Sequence, residues 1–215
     1  GRKRSIALLG MSEDSVQLYL NLFLQKDKSI EIPVYPTNFE GINNLLPHPS
    51  EDLKALLNHY LVQVEEDYLL VPNITIHETL EEILSLKQYR FSLIHPLQRI
   101  VEKLKEQKIR EVILFGSYYT MQKGYVSNFL ERKNIDCRFP KGEDSKVIDV
   151  YRKAVYQRQE TEELTNSFFR ILDQYSQSSV VILACTELSI ACKDKKHNVL
   201  DLVRNHVQTS LEVLK

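Results

Sequence analysis

The chain has 215 residues, 43% of them hydrophobic and 27% charged, with a formal net charge of −1. That length supports one large domain or two small ones, and the near-neutral balance supplies no basic field to attract nucleic acid or an acidic membrane. No apolar run approaches the length of a membrane span, and Ile6–Leu9, after the basic start Gly1-Arg2-Lys3-Arg4, is too short for a signal-peptide core. The three cysteines, Cys137, Cys185 and Cys192, argue against a disulfide framework and for a reducing, cytoplasmic compartment. Without a CxxC or a Cys/His cluster, a structural zinc site is not expected.

In chain order, short apolar runs alternate with amphipathic stretches, the pattern of parallel sheets flanked by helices. Ser5–Leu9 reads as a strand closed by Gly10. Ser12 to Ser15 cap a helix whose apolar positions are Val16, Tyr19, Leu20 and Phe23. Ile30–Tyr35 reads as a second strand, at an edge because of Pro33. A loop with Asn43, Asn44, Pro47 and Pro49 leads to a helix over 51–64. The strand Asp67–Val71 ends in Pro72-Asn73-Ile74-Thr75-Ile76-His77, and a helix follows. The second half repeats the scheme. A helix over 97–108 leads to the strand Glu111–Phe115 and the loop Gly116-Ser117-Tyr118-Tyr119-Thr120. Tyr125, Phe129 and Leu130 mark the next helix. A short strand spans 135–139, and a long helix runs over 145–177 with a break near Gln159. The most apolar strand, Ser179–Ala184, ends in Cys185-Thr186-Glu187-Leu188. A final helix is expected over 199–214.

Ligands of open parallel sheets sit beyond the carboxyl ends of the strands. Three of these ends carry small polar residues: Asn73, Thr75 and His77; Ser117 and Thr120; Cys185, Thr186 and Glu187. Because they come from both halves, the expected site is a cleft between two α/β lobes. A thiol at a strand-to-helix junction lies in the positive field of helix N–H groups, which predicts a lowered pKa and a thiolate able to accept a proton. The competing reading is a small buried core residue, and that reading is adopted for Cys137 and Cys192. His77 is placed to orient a reacting group or act as a base, or else to cap the following helix or donate to a backbone carbonyl. The hydroxyls of Thr75, Ser117, Thr120 and Thr186 suit a carboxylate, and equally suit helix capping. Gly10 alone, without GxGxxG or GxxxxGK[ST], does not make a nucleotide site.

Ile182-Leu-Ala-Cys185-Thr186-Glu187-Leu188 resembles the "GCTEL" signature of the aspartate/glutamate racemase family. Ile6-Ala-Leu-Leu-Gly10-Met11-Ser12, with Tyr19, is similar to its "GLLGGM" opening. Val112 to Thr120, then Tyr125 and Pro140, is similar to its "LLATxGT…Y…P" block, and Val71 to His77 aligns on "PCNTAH". The resemblance covers nearly the whole chain and favours the aspartate branch. It implies an α/β protein with two pseudo-symmetric lobes, residues 1–96 plus 199–215 and residues 97–198, often as a homodimer. It also implies catalysis without cofactor or metal, by two cysteines on opposite sides of the substrate Cα. The implied substrate is a small carboxylate or acidic amino acid. Cys185 is the acid/base, assisted by His77, and the substrate is held by Met11, Thr75, Ser117, Thr120, Thr186 and Glu187.

The departures are specific. The first family cysteine falls on Asn73, whose amide has no titratable proton. The family Asn falls on Ile74. The arginine after the second strand has no counterpart in 35–44, and the lysine of the long helix aligns with Val155, with Arg152, Lys153 and Arg158 nearby. Three functions follow as expectations: a racemase-type enzyme, a single-thiol decarboxylase-like lyase with Ile74 and Ile76 lining its pocket, or a catalytically silent carboxylate-binding protein.

Overall fold

Apolar runs of three to five residues, flanked by capped amphipathic helices, set the architecture in the computed structural model, which describes residues 3–193 and 198–215. Gly1 and Arg2 of the basic start lie outside the described residues. The fold is α/β, with two parallel four-stranded sheets flanked by helices. The chain divides into two units, Gly1–His95 with His206–Lys215, and Pro96–Asn205.

The first unit holds β1 (Ile6–Leu9), α1 (Glu13–Lys26), β2 (Val34–Tyr35), α2 (Phe39–Asn43), α3 (Glu51–Leu61), β3 (Tyr68–Leu70), α4 (His77–Leu86) and β4 (Ser92–Leu93). Every residue of β1 is buried, as a strand covered on both faces requires. Ser12 caps α1 by accepting the Ser15 N–H, and Ser50 caps α3 by accepting that of Leu53. These caps satisfy donors that the first helical turn leaves unpaired. The sheet order is β2-β1-β3-β4. The second strand lies at the edge, as Pro33 requires, but shrinks to Val34–Tyr35. Its core gathers Leu9, Leu53, Leu57, Leu69, Ile76 and Leu80.

The second unit holds α5 (Gln98–Glu106), β5 (Glu111–Phe115), α6 (Tyr125–Arg132), β6 (Asp136–Arg138), α7 (Gly142–Tyr156), α8 (Glu162–Ser176), β7 (Val180–Leu183), α9 (Thr186–Ala191) and β8 (Val199–Asp201). The long helix expected over 145–177 with a break near Gln159 is α7 and α8, interrupted over 157–161, where Thr161 caps α8 by accepting the Leu164 N–H. The sheet order is β6-β5-β7-β8. Phe168 anchors the core, stacked on Tyr151 at 4.5 Å between ring centroids. The helix expected from 199 begins only at Leu202, as α10 (Leu202–Val213), because Val199–Asp201 pairs with β7 as a fourth strand. The chain therefore returns to the first unit at 206 rather than at 199.

Both sheets repeat one connectivity. The first strand of each unit has its successor on one side and the third strand on the other. That is a topological switch point, where α/β sheets open a crevice for ligands at the strands' carboxyl ends.

Candidate functional site

In the first unit, the switch point lies between the ends of β1 and β3. Gly10 donates its N–H to Tyr35 O at 2.8 Å, and Thr37 Oγ1 donates to Gly10 O at 2.6 Å. A Cβ at position 10 would lie 3.0 Å from Tyr35 O, so glycine is required by close backbone approach. Met11, expected to touch substrate, is buried in the apolar core of this unit. Ile74 and Ile76, expected to line a pocket, are buried too, and Ile76 is a core residue.

Asn73 Oδ1 accepts the Ile76 N–H at 3.0 Å and the Thr75 hydroxyl at 3.1 Å. This side chain thus closes the turn that leads into α4, a capping role that a thiol would fill poorly. His77 is 0% exposed. Its Nδ1 lies 2.7 Å from Asn73 O and 3.2 Å from Ile74 O, so Nδ1 carries the proton and donates to these carbonyls. Of the roles weighed for His77, the backbone-donor one has its partners here, the Asn73 and Ile74 carbonyls, while Nε2 is buried with no hydrogen-bond partner among the described residues.

Behind it lie His95 and His206, with ring centroids 5.3 and 5.9 Å away. Burial, then the charges of His95 and His206, push the His77 pKa well below the usual histidine value. His206 donates from Nε2 to Ile94 O at 2.7 Å and accepts the Tyr19 hydroxyl on Nδ1 at 2.7 Å. Burial pushes its pKa down to about 3. Both rings are therefore neutral near pH 7, and His77 cannot serve there as a cationic acid.

In the second unit, pairing of Phe115 with Leu183, and of Leu183 with Asp201, sets Ser117, Cys185 and Asp201 along one carboxyl edge. Ser117 Oγ accepts the Thr120 N–H at 3.1 Å and lies 3.0 Å from Thr120 Oγ1. The two hydroxyls therefore hold the loop as a turn. Gly116 fits there because a Cβ would come within 3.2 Å of Thr120. Cys185 is the residue immediately before α9, in extended backbone. It is half-buried, whereas Cys137 and Cys192 are buried, and none of the three is disulfide-bonded. Burial pushes the Cys137 thiol up to about 12.

The expected lowering of the Cys185 pKa is overturned. Burial, reinforced by Glu187, pushes it well above the usual thiol value, while the Leu188 N–H and Arg152 pull the other way without prevailing. Desolvation disfavours the charged form, and a helix of six residues offers too small a counter-field. The resting group is a thiol.

Sequence reasoning named Arg152 only as a neighbour of Val155 and missed Asp149 and Asp201. On α7, Arg152 donates from Nη2 and Nε to Asp149 Oδ1 at 2.7 and 3.1 Å, and its Nη1 lies 3.7 Å from Glu187 Oε1. Asp149 Oδ1 also accepts the Tyr118 N–H at 2.9 Å. Burial opposes the Asp149 charge, but Tyr118, Arg152 and Lys153 together hold its pKa below the usual carboxylate value. At the end of β8, Asp201 Oδ1 accepts from Ser189 Oγ at 2.7 Å and from the Arg204 N–H at 3.1 Å. Burial raises its pKa against these donors. The Asp149–Arg152 pair sits at helical i,i+3 spacing, a signal visible in the sequence. Its link to Tyr118 is visible only in the fold. Among the described residues, no group of three or more His, Cys, Asp or Glu residues is arranged to hold a metal ion. Nor is any helix there long and apolar enough to cross a membrane.

The family model described as Asp/Glu/Hydantoin racemase matches residues 29–209. Three solved structures share the fold. A candidate Asp/Glu racemase from Yersinia pestis is 19% identical, with 98% of this chain and 99% of that one covered and a TM-score of 0.84. An aspartate racemase homologue from Pyrococcus horikoshii OT3 is 19% identical with the same coverage and a TM-score of 0.80. The aspartate racemase of Picrophilus torridus is 15% identical, with 99% and 94% covered and a TM-score of 0.74. No curated protein matches the chain significantly by sequence.

Proposed function

The chain belongs to the Asp/Glu/hydantoin racemase family, and from that membership we propose that it is an amino-acid racemase-type enzyme using Cys185 for proton transfer at Cα. Its substrate is a small acidic amino acid or related carboxylate, and it uses no cofactor. The observation that carries this reading is the placement of Cys185. It is the one half-buried thiol of three, at the carboxyl end of β7, beside the hydroxyl-bearing loop after β5. Ser117, Thr120, Thr186 and Glu187 bind or orient the substrate. In the first unit, Asn73 occupies the motif position of the second thiol and accepts the Thr75 hydroxyl. His77 acts through the Asn73 carbonyl that it holds. The free thiols support a cytoplasmic location, and a homodimer is the expected assembly, to be read by light scattering.

With no titratable group at position 73, one proton carrier is missing, a loss worth about 10²–10⁴-fold in rate. The test is solvent exchange in D₂O with each enantiomer of aspartate and glutamate. One enantiomer should lose its α-proton faster than it racemises, the other should exchange far more slowly, and Cys185→Ala should abolish the exchange. Equal exchange of both enantiomers, or exchange that survives Cys185→Ala, refutes the assignment.

The raised Cys185 pKa favours a second reading. A protonated thiol is the form needed to deliver a proton to a carbanion, as in a decarboxylase-like lyase. Carbon dioxide release from substituted malonates, lost in Cys185→Ala, would support it. A third reading, a silent carboxylate-binding protein, predicts thermal shifts with dicarboxylates and no exchange.

A further inference from the structure

On α7, Arg152 lies 3.7 Å from Glu187, two residues beyond Cys185, and is held there by a full set of contacts. Arg152 keeps only 18% of its side chain exposed, and a buried guanidinium is costly unless paired and hydrogen-bonded. Asp149 takes two of its donors, and Glu187 on α9 faces a third at 3.7 Å. Asp149 is itself fixed by the Tyr118 N–H and by Lys153 Nζ at 3.1 Å. The cluster joins α7, the loop after β5 and the start of α9, and Glu187 is two residues from Cys185. With Cys185 protonated, Arg152 and Lys153 balance Asp149 and Glu187. A thiolate would add one negative charge.

We propose that Arg152, held on station by Asp149, is the positioning residue for Cys185: it is the counter-charge that allows the thiolate to form. The proposal rests on the acid/base role given to Cys185, but it concerns the thiol and can be read without substrate. Among the described residues, other charged groups also act on Cys185. Glu187 from α9 and Asp201 from β8 both oppose the thiolate, Asp201 being tied to Ser189 and Arg204. The Leu188 N–H favours it. Among the described residues, Arg152 is the cation of this set, and its own pKa is raised, against burial, by Asp149, Cys185 and Glu187.

The test is the pH dependence of Cys185 alkylation by iodoacetamide in the folded protein, followed by peptide mass spectrometry, with buried Cys137 and Cys192 as internal controls. Arg152→Gln should move the midpoint up by about one pH unit and slow alkylation about tenfold below it. Arg152→Lys should restore part of the rate, and Glu187→Gln should move the midpoint down. A purely structural arginine would alter thermal stability but not this midpoint. An unchanged midpoint in folded Arg152→Gln overturns the proposal. Should that variant not fold, an unchanged or raised midpoint in Glu187→Gln overturns it equally.

Discussion

Replacing His206 with Gln should remove an acid-sensitive component from the stability of the protein. His206 is 1% exposed and locked in one neutral tautomer, Nε2–H to Ile94 O and Nδ1 to the Tyr19 hydroxyl. Burial drops its pKa from 6.5 to about 3. The unfolded chain therefore binds a proton near 6.5 that the folded chain refuses. The stabilisation is fully present above that value and is lost as pH falls below it. Between about pH 7 and about pH 5 the linked loss is about 2 kcal/mol. His77, lowered in the same direction, adds to the wild-type loss, whereas Asp201, a carboxyl with a raised pKa, opposes it. Both remain in the variant, so the difference between the two proteins reports His206 together with its coupling to His77. The chain has no Trp, so urea unfolding is best followed by far-UV circular dichroism at the two pH values. His206→Gln will be less stable at both, having lost a buried hydrogen-bond pair, but its loss on acidification should be about 2 kcal/mol smaller than that of the wild type. An equal loss in both proteins would refute the claim that this ring is held neutral by burial.

Asn73→Cys removes the oxygen that caps the turn before α4, so it should cost about 1 kcal/mol in urea unfolding while raising true interconversion of enantiomers. A stability-neutral change would show that the cap is dispensable. Gly10→Ala forces a Cβ to within 3.0 Å of Tyr35 O, and the pair β1–β2 must shift. The cost should be about 1–3 kcal/mol, read as a lowered Tm, and an unchanged Tm would show that the edge strand gives way freely. Phe168→Ala empties a fully buried site stacked on Tyr151, with Phe115 at 6.2 Å, and should cost about 3–5 kcal/mol. A loss under about 1 kcal/mol would mean that the core collapses around the gap.

What could be read in advance follows from how local each signal is. The runs that became β1, β5 and β7 are buried almost throughout, so their composition alone marks them. Ser12 declares a helix start because the capping hydroxyl and the donor it serves lie three residues apart. The strand β4 has two residues and no period, and nothing in Ser92–Leu93 separates it from a loop. The strand β8 was hidden for a different reason. Val199, Leu202 and Val203 stand at helical i, i+3, i+4 spacing, so the pattern reads as a closing helix that starts early. Only pairing with Val181, Ile182 and Leu183 shows that three residues belong to the sheet. The motif around Asn73 and His77 was legible as a strand end. Its hydrogen bonds were not, because an amide and an imidazole at such spacing serve a ligand or their own turn equally well.

The ionisation of Cys185 separates what a motif contains from what a fold imposes. Its position was plain, because the most apolar strand runs straight into it. Its charge was not, because the helix-end argument weighs one favourable field and omits the rest. In the folded unit, burial is the largest influence and Glu187 the next, and both favour the protonated thiol. The opposing groups reach it from α7 and from the backbone of α9, contacts that sequence adjacency cannot reveal. A protonated resting thiol has a consequence for the order of chemistry. It can give a proton to a carbanion at once, but it must lose that proton before it can take one from Cα. Abstraction therefore depends on the cation that favours the thiolate, and donation does not. Arg152→Gln should slow deuterium washout from an amino acid more than it slows protonation of a carbanion formed by decarboxylation. Equal slowing of both would mean that Arg152 holds substrate rather than tuning the thiol.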